Sequence, residues 1–235
     1  MVTAATKKVT SWSFSRWRDY LACPAKFKYK HLDKLAEPGT AAMQRGTDIH
    51  KMAEDYTNGK IRTLPTELKL FAPEFKKLRG EKVKTVEDSW SFRKDWTETV
   101  WNDWTGCWLR VKMDVAYTNV KHNALVIIDH KTGKYSEWKI AEYLEQLELY
   151  GLAGLVRNPN IDVVSPRLWF IDHGRIHPNP EEEEIEYFRK DEPQLRKKWE
   201  LKVAPMFKDT VFKPTPGDAC TYCHYRKSNG GPCRF

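Results

Sequence analysis

Long apolar stretches are missing from this sequence of 235 residues. No run of about 18 apolar residues occurs, which excludes a membrane-spanning helix. Residues 1–10 carry two lysines with no apolar segment after them, which excludes a secretory signal and predicts a loose start to the chain. Internal repeats and the phosphate-binding pattern GxxxxGK[ST] are also absent, so the sequence has no helicase motif. We therefore expect an intracellular protein with no membrane partner.

Cysteine is scarce, with five residues, and a chain without a secretory signal uses such cysteines as thiols or metal ligands rather than as disulfides. Hydrophobic residues make up 40% and aromatic residues 13%, which argues against a disordered chain. Lysine and arginine number 40 against 32 acidic residues, a net charge of +8. This excess of positive charge favours a polyanionic partner but says nothing about the fold.

The order of elements predicts an α/β fold with a mixed central β-sheet flanked by helices. Serine at position 11 or 13 is expected to cap a first helix, and Pro24 to open a second. A polar turn at residues 118–123 joins two apolar runs and predicts an antiparallel hairpin. Longer helices are expected over residues 41–58, 137–156 and 191–208, and strands over residues 83–92, 104–117, 124–130, 163–172 and 183–188. The length fits a single domain over residues 1–235.

The predicted hairpin carries the residues best suited to bind a metal ion. Asp114 lies on its first strand, and Asp129 and Lys131 lie at the end of the second. Side chains two apart share a face, so Asp129 and Lys131 point one way and His130 the other. Two neighbouring carboxylates form an oxygen-rich site for Mg²⁺ or Mn²⁺, and a nearby lysine stabilises developing negative charge. The alternative is an exposed ion pair, which Asp-x-Lys usually forms.

Further polar residues stand before and after this cluster. His50 follows Gly46 by four positions on an early helix, and Gln146 and Tyr150 share one face of a later helix. A lone histidine there is more often a structural partner than a ligand. Gln146 and Tyr150 also fit the polar edge of a helix whose leucines pack in the core.

Taken in order, these motifs resemble the RecB-type branch of the PD-(D/E)XK nucleases over about residues 11–151. The matching pattern is Gly46-x-x-x-His50, Asp114, Asp129-x-Lys131-Thr132-Gly133 and Gln146-x-x-x-Tyr150. The resemblance implies a restriction-endonuclease-like sheet. It also implies that His50, Asp114 and Asp129 hold the divalent metal and that Lys131 is the catalytic lysine. Gln146 and Tyr150 would steady the lysine or the DNA backbone.

The cysteines form a second motif. Cys220-x-x-Cys223 precedes Cys233, and Cys23 stands far upstream. A two-residue gap lets two thiolates bind one metal centre, either zinc, with His224 able to replace one sulfur, or iron. Cys107, in a tryptophan-rich segment, is expected to be a buried bystander.

This arrangement is similar to the iron–sulfur staple of the AddB nuclease domain and of the four-cysteine exonucleases of CRISPR adaptation. The resemblance implies a [4Fe–4S] cluster on Cys23, Cys220, Cys223 and Cys233, which fastens residues 11–35 to residues 209–235. Residues 224–232 make the last gap longer than is usual in these proteins.

The resemblance implies a metal-dependent DNA exonuclease of recombination, repair or phage DNA processing, in the cytoplasm of a bacterium or of a phage-infected host. Its substrate would be single-stranded DNA or duplex ends, with a helicase, recombinase or integrase as partner. The alternatives are a DNA-end trimming subunit of a CRISPR-adaptation-like integration complex and a non-catalytic DNA-binding module. Five tryptophans lie within residues 90–108, and one or two of them are candidates to stack unpaired bases.

Overall fold

The computed structural model describes residues 8–82, 84–179, 181 and 184–235. Most of the segment predicted to be loose, residues 1–7, lies outside this range, as does Val83 at the start of a predicted strand. Helix α1 (Phe14–Ala22) begins where the Ser13 side chain accepts a hydrogen bond from the Arg16 N–H, at 3.4 Å. Cys23 ends this helix and precedes α2 (Pro24–Phe27), which continues as a π-helical turn over Lys28–Leu32.

Helices α3 (Ala41–Thr57) and α4 (Ala72–Gly80) follow. Thr40 caps α3 by accepting the Met43 N–H at 3.2 Å. A 3-10 helix over Thr66–Phe71 leads into α4, and Pro73 lies in the first turn of α4. A proline in the first turn loses no intrahelical hydrogen bond and is tolerated there.

The described strands form one mixed sheet that is mostly antiparallel. Strands β1 (Lys84–Phe92), β2 (Leu109–Asn119) and β3 (Ala124–Lys131) run antiparallel in sequence order, which confirms the predicted hairpin. Strand β4 (Val163–Phe170) lies parallel to β3, and the long helix α5 (Ile140–Arg157) makes the crossover between them. Two short strands, β5 (Arg175–His177) and β6 (Tyr187–Phe188), pair antiparallel with β4.

Helices cover both faces of the sheet. On one face Ile127 packs in a core with residues of α1, α5 and α6 (Glu192–Lys208), including the fully buried Trp199. On the other face Val126 and Ile128 pack with residues of α3 and α4, such as Ile49 and Phe75. Strand β3 is therefore apolar on both sides until its last three residues, which places the charged residues at its end beside the core.

The structure differs from the sequence expectations in the tryptophan-rich segment and at the sheet edge. Residues 104–106 form a turn and residues 107–108 are irregular rather than strand, because the Asp103 carboxylate accepts hydrogen bonds from Thr99, Thr105 and the Gly106 N–H. Strand β5, three residues long, was not predicted, and the strand expected over residues 183–188 is limited to β6 among the described residues. No helix of the described chain is both long and apolar enough to cross a membrane.

Candidate active site

The β2–β3 hairpin places two carboxylates side by side at the end of its ladder. The ladder runs from Asn119 opposite Ala124 to Val115 opposite Ile128, and Asp114 and Asp129 are the next residues on each strand. Their exposed fractions are 7% and 8%. Buried carboxylates are costly unless they are paired or bound to a metal, so their partners decide what this pair can do.

Lys131 is the cationic partner of Asp129. Its Nζ lies 2.8 Å from Asp129 Oδ2, on the face that Leu125 and Ile127 turn towards α5. The predicted alternation is therefore confirmed. Asp129 Oδ2 is buried and accepts no hydrogen bond of good geometry from any described residue. It is thus an oxygen with unused capacity, as a metal ligand requires.

His50 approaches the same site from helix α3. Its Nδ1 lies 2.7 Å from Asp114 Oδ1, while Asp114 Oδ2 accepts the backbone N–H of His130 at 2.5 Å. Burial alone would raise the pKa of Asp114, but the hydrogen bond from His50 and the two nearby imidazoles hold that pKa below its usual value. Asp114 is therefore ionised at neutral pH.

Gly46 lets α3 come this close. A Cβ at position 46 would lie 3.0 Å from Thr132 Oγ1, in the turn that follows Lys131. A side chain at this position would require Thr132 or the helix to shift by a few tenths of an ångström. In the Gly46-x-x-x-His50 pattern, Gly46 thus packs against Thr132 and His50 forms a hydrogen bond with Asp114.

Gln146 and Tyr150 form a hydrogen-bonded chain to Asp129. Gln146 Nε2 donates to Tyr150 Oη at 2.8 Å, and the Tyr150 hydroxyl donates to Asp129 Oδ1 at 2.7 Å. Burial, followed by the negative charge of Asp129, raises the pKa of Tyr150 well above its ordinary value, so the hydroxyl keeps its proton. Gln146 and Tyr150 therefore act directly on Asp129. They act on Lys131 through the Asp129 carboxylate.

His130 lies on the opposite face, as predicted, but it also borders the site. Its ring packs 5.4 Å from the Phe75 ring and 5.7 Å from the Trp169 ring, and neither ring nitrogen has a hydrogen-bond partner among the described residues. Burial lowers its pKa, so the imidazole is neutral. Within the described chain, His50, Asp114 and His130 form a compact group whose ligand atoms lie within 4.8 Å of one another.

Glu87 on β1 is a site residue that sequence reasoning missed. It stands between the pairs Val86–Val115 and Asp88–Met113, opposite Asp114, and burial together with the negative charge of Asp114 raises the pKa of Glu87. Its Oε2 lies 2.6 Å from Lys112 Nζ. Its backbone has a φ of +56°, a left-handed conformation that costs a residue with a side chain about 1–2 kcal/mol. Strand alternation gives no warning of such a conformation.

Two grooves open on either side of these residues. One, of about 740 Å³, is lined by residues of α3 together with Glu87, Lys112 and Thr132. The other, of about 610 Å³, is lined by Lys131, Gln146 and Tyr150, by the start of α1 and by Lys112. Lys112 borders both grooves, His50 lines the first and Lys131 lines the second, so an extended ligand that crosses between the grooves would pass these side chains.

The four predicted cysteine ligands line one small cavity. Cys23, Cys220, Cys223 and Cys233 surround about 70 Å³, together with Tyr29, Tyr225 and neighbouring residues. The Cys23 sulfur accepts the Thr215 N–H at 3.4 Å. The thiols do not form a compact ligand group, because no three of these described sulfurs lie within 4.8 Å of one another.

A tight loop returns Cys233 to this cavity. The Gly231 N–H donates to the Arg226 carbonyl at 3.0 Å, and the Cys233 N–H donates to the Tyr225 carbonyl at 2.8 Å. A Cβ at Gly231 would lie 2.3 Å from the Tyr225 backbone, so this turn requires glycine. The long gap between Cys223 and Cys233 is therefore taken up by a closed loop. Cys107 does not line this cavity. It is buried, and its thiol lies 3.5 Å from the Leu109 carbonyl.

Comparison with known families assigns the chain to a class of nucleases. The family model of the PD-(D/E)XK nuclease superfamily matches residues 11–228. The chain belongs to the PD-(D/E)XK nuclease superfamily.

Solved structures give a weaker likeness. The crystal structure of SSO0001 is 14% identical, covering 99% of this chain and 90% of that one, with a TM-score of 0.45. The crystal structure of a "Putative exonuclease" from Eubacterium rectale is 12% identical, covering 91% and 88%, with a TM-score of 0.49. No curated protein sequence matches this chain. The family assignment rests on the family model and not on these two structures.

Proposed function

We propose that this protein is a divalent-metal-dependent deoxyribonuclease of the RecB type that hydrolyses phosphodiester bonds at DNA ends. The observation that carries the proposal is a pair of contacts at the adjacent ends of β2 and β3, where His50 contacts Asp114 and Lys131 contacts Asp129. Asp129 lies outside the compact group of His50, Asp114 and His130. These residues follow the order of the RecB-type motifs, and their position between two grooves suits a long, charged substrate.

Each residue has a role that its contacts support. Asp129 and Asp114 supply carboxylate oxygens, and His50 holds Asp114 through the 2.7 Å contact. Gln146 and Tyr150 fix the orientation of Asp129 and leave its Oδ2 towards Lys131. The Lys131 side chain, 28% exposed, borders the groove, and its ammonium is placed to stabilise negative charge on a reacting phosphate.

The donor set fits Mg²⁺ or Mn²⁺. Carboxylate oxygens are the ligands that these hard cations prefer, and imidazole is accepted by Mn²⁺. His50, Asp114 and Asp129 would hold the ion. When bound, such an ion acts as a Lewis acid on a phosphodiester oxygen.

Removal of divalent metal is expected to abolish DNA degradation. Linear DNA incubated with the protein and Mg²⁺ or Mn²⁺ should be shortened from its ends, whereas excess EDTA should reduce the product to the level of a protein-free control. Gel analysis of end-labelled linear DNA, with covalently closed circular DNA of the same sequence as the matched substrate, measures both points. Degradation that continues in EDTA contradicts the metal requirement, and equal degradation of the closed circle contradicts the requirement for ends.

Glu87→Gln is expected to lower metal-dependent cleavage by roughly 10–100-fold, the usual effect of losing a residue that orients a metal ligand. Glutamine keeps the size of the side chain but loses the charge that pairs with Lys112 and faces Asp114. The measurement is the cleavage rate as a function of Mn²⁺ concentration. Glu54→Gln is the control, because Glu54 borders the same groove and pairs with Lys51 and Lys60. Equal rates for the wild type and Glu87→Gln would remove Glu87 from the site.

We also propose that the four cysteines bind a [4Fe–4S] cluster rather than zinc. Four thiolates on one zinc ion, at Zn–S distances of about 2.3 Å, lie about 3.8 Å from one another in a tetrahedron. The spacing of the sulfurs here is wider, since every set of three contains a pair more than 4.8 Å apart. A cluster with several irons spreads its ligands over a larger volume than one ion does. The wider spacing around one shared cavity favours the cluster.

The proposed cluster would bind together two parts of one domain. In residues 209–235 only Phe212 and Tyr225 are buried. Phe212 stacks on Phe27 with ring centroids 6.0 Å apart, and Tyr225 lies 5.7 Å from Tyr29. So few apolar contacts give the tail little stability of its own, and a metal centre would supply what is missing. The cytoplasm is the compartment we propose, because its reducing conditions keep these thiols free.

A further inference from the structure

The groove beside Lys131 ends at a pair of exposed tryptophans. Trp101 lines this groove, and Trp104 lies three residues further on in the turns before β2. Their exposed fractions are 37% and 75%, and Val100 beside them is 71% exposed. In contrast Trp90, Trp96 and Trp108 of the same segment are buried in the core. Single exposed apolar residues are ordinary, but a contiguous aromatic patch at the mouth of a groove indicates a binding surface.

An arginine lies against both rings. The Arg110 guanidinium is 5.6 Å from the Trp101 ring centroid and 5.4 Å from the Trp104 ring centroid. It also donates to the Trp101 carbonyl and to Ser11 Oγ, which fixes it in place. Within the described chain no carboxylate lies within 4.0 Å of it, so its charge is not neutralised as that of Arg18 is by Glu142. The patch therefore combines aromatic faces with an uncompensated positive charge.

We infer that Trp101 and Trp104 stack unpaired bases of the nucleic-acid strand whose backbone passes Lys131. Bases inside a duplex are already stacked on their neighbours, so apart from the outer face of the terminal pair a free base face is offered only by a single-stranded segment. Arg110 would meet the backbone phosphate between the stacked bases. The inference rests on the proposed nuclease function and deepens it, because it makes a single-stranded segment the substrate that this groove selects.

Binding of a labelled oligonucleotide in EDTA, measured by fluorescence anisotropy, tests the inference without cleavage. Trp104→Ala is expected to weaken binding of a single-stranded 20-mer by about 10-fold, and Trp104→Phe, which keeps a flat ring, by less than about 3-fold. Binding of a blunt duplex of the same length should be unchanged by either substitution. Leu201→Ala, which removes an apolar side chain 66% exposed on α6, is the control for general loss of apolar surface.

An oligonucleotide with abasic sites isolates the stacking from phosphate contacts. The wild type should bind it about 10-fold more weakly than the normal strand, and Trp104→Ala should show no further loss. Additive losses, or an equal loss on duplex DNA, would overturn the inference. The measurements are made with DNA and RNA strands in parallel. Whichever strand binds more tightly, the inference requires that abasic sites weaken its binding to the wild type.

Hydrolysis of bis(p-nitrophenyl) phosphate with Mn²⁺ separates this inference from the proposed function. This small diester carries no base, so Trp104→Ala should hydrolyse it at the wild-type rate. A wild type that hydrolyses neither the diester nor DNA would contradict the proposed nuclease. A nuclease whose binding is insensitive to Trp104 and to abasic sites would contradict only the stacking platform.

Discussion

Replacement of Asp129 by asparagine is expected to lower the rate of Mg²⁺-dependent DNA cleavage by at least about 10³-fold. The substitution removes one of the two adjacent carboxylate charges but keeps a carbonyl oxygen that can accept the Tyr150 hydrogen bond. The fold should therefore survive with a thermal midpoint close to that of the wild type, because the relief of the desolvation cost offsets the lost ion pair with Lys131. The measurements are the initial rate on end-labelled linear DNA and the thermal midpoint by circular dichroism.

A comparison with Lys131→Ala separates metal binding from catalysis. Lys131→Ala removes the cation 2.8 Å from Asp129 and should lose about 10²–10³-fold in rate while Mn²⁺ still binds, as titration calorimetry would measure. Asp129→Asn should lose Mn²⁺ binding as well. Asp191→Asn is a suitable control, because Asp191 precedes α6 and its side chain makes no capping hydrogen bond. Wild-type rates in Asp129→Asn or Lys131→Ala would refute the assignment of the active site.

Replacement of Cys220 and Cys223 by alanine is expected to remove bound iron and to lower the thermal midpoint by roughly 10 °C. A cluster that joins Cys23 to Cys220 closes a loop of most of the chain, and a cross-link over such a loop is worth about 4–5 kcal/mol in the chain-entropy model. In a domain of this size that energy corresponds to a shift of about 10 °C or more. Protein purified without oxygen should contain about four irons per chain and absorb near ~400 nm.

Cys107→Ala provides the matched control for the cysteine substitutions. Cys107 is buried at a distance from the cavity lined by the other four cysteines, so this variant should keep its iron and its absorbance. Limited proteolysis offers a second measurement, since loss of the cluster should make residues 209–235 the first to be cleaved. One zinc per chain and no iron after anaerobic purification would replace the cluster by a zinc site.

The parts of the site that the sequence predicted are those governed by simple periodicity. Asp129 and Lys131 share a face because residues two apart in a strand always do, and the apolar run before them marked β3 as a buried strand. The short turn at residues 118–123 predicts antiparallel pairing of the two strands that it joins. This pairing brings the Asp114 position alongside that of Asp129. The spacing of four residues on α5 correctly predicted that Gln146 and Tyr150 lie on one face of the helix, where they share a hydrogen bond.

The parts that the sequence did not predict depend on local exceptions or on distant contacts. Glu87 joins the site through a positive φ, and the alternation of β2 changes phase beside it, since Met113 and Ala116 pack in one core and Val115 in the other. The partner of Tyr150 was not predictable, because Asp129 and Lys131 share one face of β3 and the sequence does not show which of them the Tyr150 hydroxyl reaches. The sequence does not distinguish the buried tryptophans of residues 90–108 from the exposed ones. The difference arises from the turn that the Asp103 carboxylate stabilises.

Helix α1 connects the groove beside Lys131 with the cavity of the four cysteines. Its first turn, with Ser13 and Ser15, borders the groove beside Lys131, and Cys23 at its other end borders the cysteine cavity. Nine helical residues span about 14 Å, and a helix of this length is stiff. We therefore expect a shift of Cys23 to move the wall of the groove, so that the shape of the groove depends on how firmly the last residues of the chain are held.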